Sequence, residues 1–260
     1  MLVKRNLYSV KMLAYIAEMT RKSEIARTRT RRAASNGATS RAVRKRNAPR
    51  GGASEDAPYH HGALHDALLE AAERVLERDG LSGLTLRAVA REAGVSHAAP
   101  THHFGDLTGL VSEVAAIGFR QFNTAMKLAD AAGNSPVEKA MARAKAYVAY
   151  ARAHPGMYGL MFRTERIDMT RPSLHEAAGA AFAGLAGAVG ASRHEQISEQ
   201  ALSLEQAAAI ARAWSLVHGF TMLLLDGRLS DILRLLPKGT GAETLLDAML
   251  RLTGGRPPGT

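Results

Sequence analysis

Thr85 and Ser96 each stand directly before a short helical stretch in the run TLRAVAREAGVSHAAPTHH, residues 85–103. A hydroxyl in that position can cap a helix start. Free N–H groups and the helix dipole there also favour phosphate oxygens. Between the two, Ala90 is small enough to let two helices cross closely, and Val95 can plug their junction. Gly94 can take the left-handed conformation that ends the first helix. Two short helices joined by a glycine-containing turn form a helix-turn-helix, whose second helix offers its N-terminal side chains to a DNA major groove. A plain helical hairpin fits the same pattern.

A second constellation lies far along the chain. Trp214, His218 and Met222 repeat every four residues, so they share one helix face. They could fill a core, or they could wall a ligand pocket in which Trp and His add polar handles to apolar bodies. His154, Met157, Tyr158, Met161 and Phe162 could form the opposite wall, methionine being suited to an adaptable pocket. His60, His61 and His65 include an i, i+4 pair, but a zinc site would need a further ligand from Asp66 or His60, so no metal is expected. His102 and His103 are adjacent and point to different faces, one toward DNA and one into packing. The sequence has no GxSxG, HExxH, GxxxxGK[ST] or strand-linked GxGxxG pattern, so no enzyme and no cofactor are expected. It has no cysteine, which excludes disulfides, thiolate metal sites and cysteine nucleophiles.

The elements that must position these residues read as helices throughout. Leu64, Leu68, Ala71, Ala72, Val75 and Leu76 predict a helix over 61–79, stopped by Gly80. Leu86, Val89, Ala90 and Ala93 predict a second, capped by Thr85, and Ser96 is expected to cap a third that runs through His103. Asp106 can cap a long fourth helix with Leu107, Leu110, Val111, Val114, Ile117, Phe122 and Met126 inward. Ser135-Pro136-Val137-Glu138 predicts a capping box and a helix ending at His154. Further helices are expected over 156–162, 172–190, from a second box at Ser203 to Asp226, and over 242–252. The glycines of 179–190 are expected to permit close helix packing. No uninterrupted apolar run reaches the roughly 20 residues of a membrane helix, and the longest candidate is 177–192.

The chain has 260 residues and a formal charge of +10. Residues 1–57 carry fourteen basic and four acidic side chains, while the other 203 residues are neutral. A neutral body with a basic segment points to a polyanion. From Arg21 to Ala57 large apolar residues are almost lacking, so disorder is expected there, beside a short helix over 7–19. A solvated tail, a DNA-contacting arm and a translation start placed too far upstream all fit this segment. Lys11 interrupts its apolar stretch, which argues against a signal peptide.

The stretch YHHGALHDALLEAAERVLERDGLSGLTLRAVAREAGVSHAAPTHHFGD, residues 59–106, resembles the N-terminal DNA-binding domain of TetR-type transcriptional regulators. ARAHPGMYGLMF (151–162) and AWSLVHGFTMLLLDGRL (213–229) resemble the TetR subgroup whose C-terminal domain is named for a Trp-His-Gly signature, here Trp214, His218 and Gly219. The resemblance implies an all-α fold, with a three-helix helix-turn-helix domain over 58–118 and a larger ligand-binding and dimerisation domain over 119–260. It implies contacts to double-stranded DNA from Thr85, Ser96, His97, Ala98, Pro100, Thr101 and His102, with His60 and His61 near the DNA backbone. It further implies a cytoplasmic homodimer, free of membrane, that binds a pseudo-palindromic site, is released by a small apolar effector and acts as a repressor. Two departures stand out: Thr101 and Leu107 replace the tyrosine and lysine with which such proteins hold phosphates. Residues 58–118 carry a net charge of −4, for which the basic segment is the obvious compensation. The rivals are a sequence-nonspecific DNA-coating protein driven by that segment and, more remotely, a helical enzyme.

Overall fold

The computed structural model describes residues 57–253 apart from 164 and 199–200, with only the backbone of 57–62 and 253. The basic segment 1–56, and every expectation attached to it, lies outside the described residues, and so do the side chains of His60 and His61. Among the described residues no strand forms. The fold is all-helical.

Local side-chain chemistry sets most helix starts. Helix α1 covers Ala57–Gly83, but Gly80 at φ 67 interrupts it. Gly94 at φ 69 likewise ends α2 (Leu86–Glu92), whose Thr85 cap accepts from Ala88 N at 3.1 Å. The cap of α3 (Ala99–Phe104) falls on Ala98, which has no side chain to accept, and not on Ser96. A tight backbone turn explains the shift: Ala99 N already bonds Ser96 O at 3.1 Å, and regular helix begins only beyond it. Asp106 caps α4 (Leu107–Asp130) at 2.7 Å from Gly109 N. Ser135 caps α5 (Pro136–Ala153), but the expected box is incomplete: Glu138 accepts from Asn134 N, one residue early. After the short α6 (Pro155–Met161), α7 (Pro172–Arg193) continues three residues past Gly190 and ends at His194 in the left-handed region. The box at Ser203 is complete, with both arms made to Gln206, and starts α8 (Leu204–Leu225). Helix α9 (Ser230–Leu235) has no counterpart in the sequence reading; α10 covers Ala242–Thr253.

Helix α4 is the axis of the molecule. It packs against α1, α3, α5, α6 and α7. Leu110, Val114 and Ala115 are fully buried, with Leu68, Val75 and Leu76 of α1 in the same cluster. Leu107 and Ile117 are only partly buried. The expected border at 118/119 falls inside this helix, so both parts of the chain share one rigid element. The glycines of α7 meet the expectation of close approach at two positions and not at the other two. A Cβ at Gly184 would meet Arg143 Nη2 and one at Gly190 would meet Glu195 O, whereas Gly179 and Gly187 face open space.

The loop before α7 is pinned to the start of α4. The buried Ser112 hydroxyl donates to Thr108 O at 2.6 Å and accepts from Asp168 N at 2.8 Å. Arg171 Nη2 donates to Phe104 O, the last residue of α3, at 3.2 Å, and Nη1 lies 3.8 Å from Glu113. Gly109 makes room for this crossing: a Cβ there would sit 2.0 Å from Phe104 O and 2.5 Å from Arg171 Nη2. Replacing a helical glycine with alanine ordinarily stabilises by about 0.5–1 kcal/mol. Here the sign should reverse, because one of the atoms struck is backbone. Gly109→Ala is expected to destabilise by about 1–3 kcal/mol, as overpacking does, and urea unfolding of the two proteins measures it. A more stable variant would contradict the close approach.

Candidate DNA-contacting face and effector cavity

The exposed edge of α3 and its preceding turn carries Ser96, His97, Ala98, Thr101 and His102. Pro100 and Phe104 are buried on the other side, so the part played by Pro100 is packing rather than a groove contact. Phe104 stacks on His65 with ring centroids 5.0 Å apart, and His103 meets His65 edge-on at 6.1 Å. His102 is exposed and His103 half-buried, which separates the adjacent pair as their spacing requires. Nδ1 of His65 also lies 3.3 Å from Asp66 Oδ1. Among the described residues no group of three His, Cys, Asp or Glu could hold a metal. Thr85 is exposed; its oxygen accepts the cap bond while its O–H stays available as a donor.

Charge on this face is already partly spent. Glu92 of α2 is gripped by Arg74 at 3.0 Å and Arg78 at 2.8 Å, both from α1. The hydrogen bond from Arg78, then that from Arg74, holds the Glu92 carboxyl below its usual range. Two of the four arginines in 58–118 therefore clamp α1 to α2. Arg87 and Arg91, four residues apart on α2, are exposed and make no ion pair among the described residues. They are candidate phosphate contacts that sequence reasoning missed. The i, i+4 spacing behind the Thr85 cap was the available signal.

The second site is a partly open cavity of about 490 Å³ lined by α4, α5, α7 and α8, with Phe162 just after α6 and Leu250 of α10. Of the eight expected wall residues, Phe162 and Trp214 line it. Tyr158 and His218 stand directly behind the lining Tyr147: His218 Nδ1 is 2.9 Å from Tyr147 Oη and 2.8 Å from Tyr158 Oη, and the two hydroxyls are 3.1 Å apart. Burial pushes the His218 pKa down to about 4, so its ring is neutral near pH 7. Burial also raises both phenols well above their ordinary value, keeping them protonated. Nδ1 has one in-plane site, so it cannot serve both hydroxyls at full strength.

The other expected wall residues lie elsewhere. Met157 and Met161 are core, packed where a Cβ on Gly118 would strike them. His154 faces α1, with Nδ1 3.7 Å from Glu77. Met222 is half-buried, one turn beyond the cavity. Conversely, Tyr147, Arg143, Phe119 and Phe182 line the cavity and went unread, and Phe122, expected only as an inward residue of its helix, lines it too. Tyr147 and Arg143 are four residues apart on α5, a usable signal only once α5 is known to cross α8.

Comparison with known proteins agrees with both halves. Residues 68–114 match the family described as bacterial regulatory proteins, tetR family, and residues 140–251 match a tetracyclin repressor-like C-terminal domain. The chain is 29% identical over 193 residues to the uncharacterized HTH-type transcriptional regulator Rv0681 of Mycobacterium tuberculosis, covering 73% of this chain and 80% of that one. A solved protein of unknown function from Rhodococcus sp. RHA1 is 30% identical, with a TM-score of 0.59 over 75% of this chain and 96% of that one. The helix-turn-helix and the helical body behind it thus have a common assignment: the chain belongs to the TetR family of DNA-binding transcriptional regulators.

Proposed function

We propose that this regulator is a ligand-responsive repressor that binds a pseudo-palindromic operator as a homodimer. The observation that carries the reading is the Arg171 crossing. Arg171 is the residue before α7, whose later turns wall the cavity, and its guanidinium holds the last carbonyl of α3. A ligand that shifts α7 thereby acts on the helix bearing Ser96, His97, Thr101 and His102. Such control requires different ligand affinity in the DNA-competent and DNA-incompetent states.

Helix α8 supports the dimer. It is long and apolar enough to cross a membrane by length and composition, more so than the 177–192 stretch, yet only 17% of its most apolar window is buried. Its part-exposed apolar positions, with Leu204 and Leu223 the most open, suit a cover, and a second copy supplies one with the two-fold symmetry of a palindromic site. Trp214, His218 and Gly219 on the same helix favour the Trp-His-Gly subgroup. Phosphate attraction falls to Arg87, Arg91 and the basic segment, because the arginines of α1 are committed to Glu92.

Sequence choice should reside in α3. His97→Ala or His102→Ala is expected to cost about 1–3 kcal/mol at one operator position if the ring contacts a base edge. Selection of bound duplexes from a random pool, repeated for each variant at two salt concentrations, reads this directly. Loss of affinity for all sequences alike would make the ring a phosphate contact, whereas a parent that selects no sequence and shows a steep salt slope would favour the DNA-coating reading.

Arg171→Met should lower operator affinity about tenfold, the worth of one charge-assisted hydrogen bond, while leaving the melting temperature within a few degrees. Unchanged affinity would remove Arg171 from the coupling route.

The depressed pKa of His218 has a signed consequence for stability. Between about pH 4 and 6.5 the unfolded chain binds a proton that the folded chain does not. This group therefore stabilises the fold above pH 6.5, and that stabilisation is lost as pH falls toward 4, at up to about 1.4 kcal/mol per unit. Urea unfolding of the parent and His218→Gln at pH 6.5 and 4.5 should show a shallower loss in the variant. Equal losses would mean that the ring is not desolvated.

A further inference from the structure

The cavity has a shape and a charge pattern that together describe its occupant. Its lining on α7 runs from Ala178 to Arg193. At the helical rise this is a slot about 22 Å long. Spread over that length, its volume of about 490 Å³ leaves a mean cross-section of about 22 Å², which suits one hydrocarbon chain in van der Waals contact with its walls better than a fused ring system.

The slot has two unlike halves. Helices α4 and α7 run parallel, with Asn123 Nδ2 on Ala177 O at 3.0 Å. Helix α5 runs antiparallel to both, with Tyr150 Oη on Gly118 O at 3.0 Å and Arg143 Nη1 on Asp130 Oδ2 at 2.6 Å. Helix α8 starts beside the end of α7, where Gln206 reaches Gln196 O. These registers place Phe119, Tyr147 and Phe162 in the half near α3. They place Arg193 and Arg212 in the remote half, with the Arg143 guanidinium near the middle, over Gly184. No acidic side chain lines the cavity.

Arg143 is the informative residue. Its side chain is only 15% exposed. Nη1 bonds Asp130, but no described residue accepts from Nε or Nη2. Nη2 projects over Gly184, where a Cβ would come within 2.9 Å and displace the guanidinium. A largely buried guanidinium with most of its five donors unspent, beside an apolar slot, is matched by an anion that accepts in its plane.

We propose that the cavity binds a long-chain carboxylate, with its chain along the aromatic half and its head group on Arg143. This rests on the reading of the cavity as the effector site and names the class of effector. Cations have no counter-charge in the lining. A neutral chain would offer no charged acceptor to Nε and Nη2, which Asp130 leaves unspent, and so would forgo a charge-assisted hydrogen bond.

The protein carries its own reporter, since Trp214 is its single tryptophan and lines the cavity. The full chain is titrated with octanoate, dodecanoate and hexadecanoate below micelle formation, beside dodecanol and dodecylamine, while Trp214 emission is followed. The expected result is saturable binding that tightens with chain length, with dodecanoate at least tenfold tighter than dodecanol or dodecylamine. Arg143→Met should lose that preference, with dodecanoate weakening about tenfold and dodecanol retaining its affinity. Retained dodecanol binding shows that the variant is folded. Arg143→Lys, which keeps the charge but loses the fork, should fall between the two. Equal affinity for acid and alcohol, or an Arg143→Met protein that still prefers the acid, overturns the proposal. A parallel measurement of DNA binding separates the two levels. Saturable, Arg143-dependent dodecanoate binding without DNA release upholds the ligand class and defeats the regulatory reading. DNA release with no acid preference defeats the ligand class alone.

Discussion

Helix α4 is enclosed on nearly all sides from Gly109 to Phe119, and the remaining arrangement follows from that enclosure. An element packed by neighbours on every side cannot present a broad stripe of large residues. Its neighbours approach closely only where side chains are small, and Gly109, Ser112, Ala115, Ala116 and Gly118 provide those places. Each serves a different neighbour: Gly109 admits the Arg171 crossing and Gly118 admits Met157 and Met161. Ser112 spends its hydroxyl on both its own helix and the loop before α7. Because packed interiors have low compressibility and transmit strain, a displacement at one end of this helix would be passed along it rather than absorbed.

The electrostatic design is divided in a similar way. Glu92 takes up two arginines to lock α1 against α2, which gives the helix-turn-helix a firm frame at the expense of its attraction for phosphate. Exposed ion pairs of this kind contribute little stability individually. Their value here is geometric, since they fix the angle at which α3 is presented.

The features legible in the sequence were those decided within a few residues. Thr85, Asp106, Ser135 and Ser203 were readable as caps because a cap needs only a hydroxyl or carboxylate and the next turn. Gly80 and Gly94 were readable because few other residues accept their backbone angles. The failures have the opposite character. Ser96 lost its expected cap to a tight turn set by backbone hydrogen bonding. Helix α9 is a single short turn with no stripe to recognise. Tyr147 and Arg143 look like ordinary positions on α5 until α7 and α8 are laid across them. The link from Arg171 to Phe104 spans 67 positions, beyond any local pattern. The Trp214–His218 face was legible as a face, but its division into lining and backing residues depended on neighbours from three other helices.

The partial exposure of α8, with Leu204 and Leu223 its exposed large apolar residues, bears on abundance as well as on assembly. If a second copy covers this helix, as proposed, the stability of the fold depends on the concentration of the chain itself. With a second copy as cover, folding, assembly and operator occupancy become one coupled equilibrium. Occupancy then rises with the square of chain concentration where assembly is incomplete. Under those conditions a modest change in synthesis or degradation would move the regulated promoter further than the same fractional change in a monomeric binder.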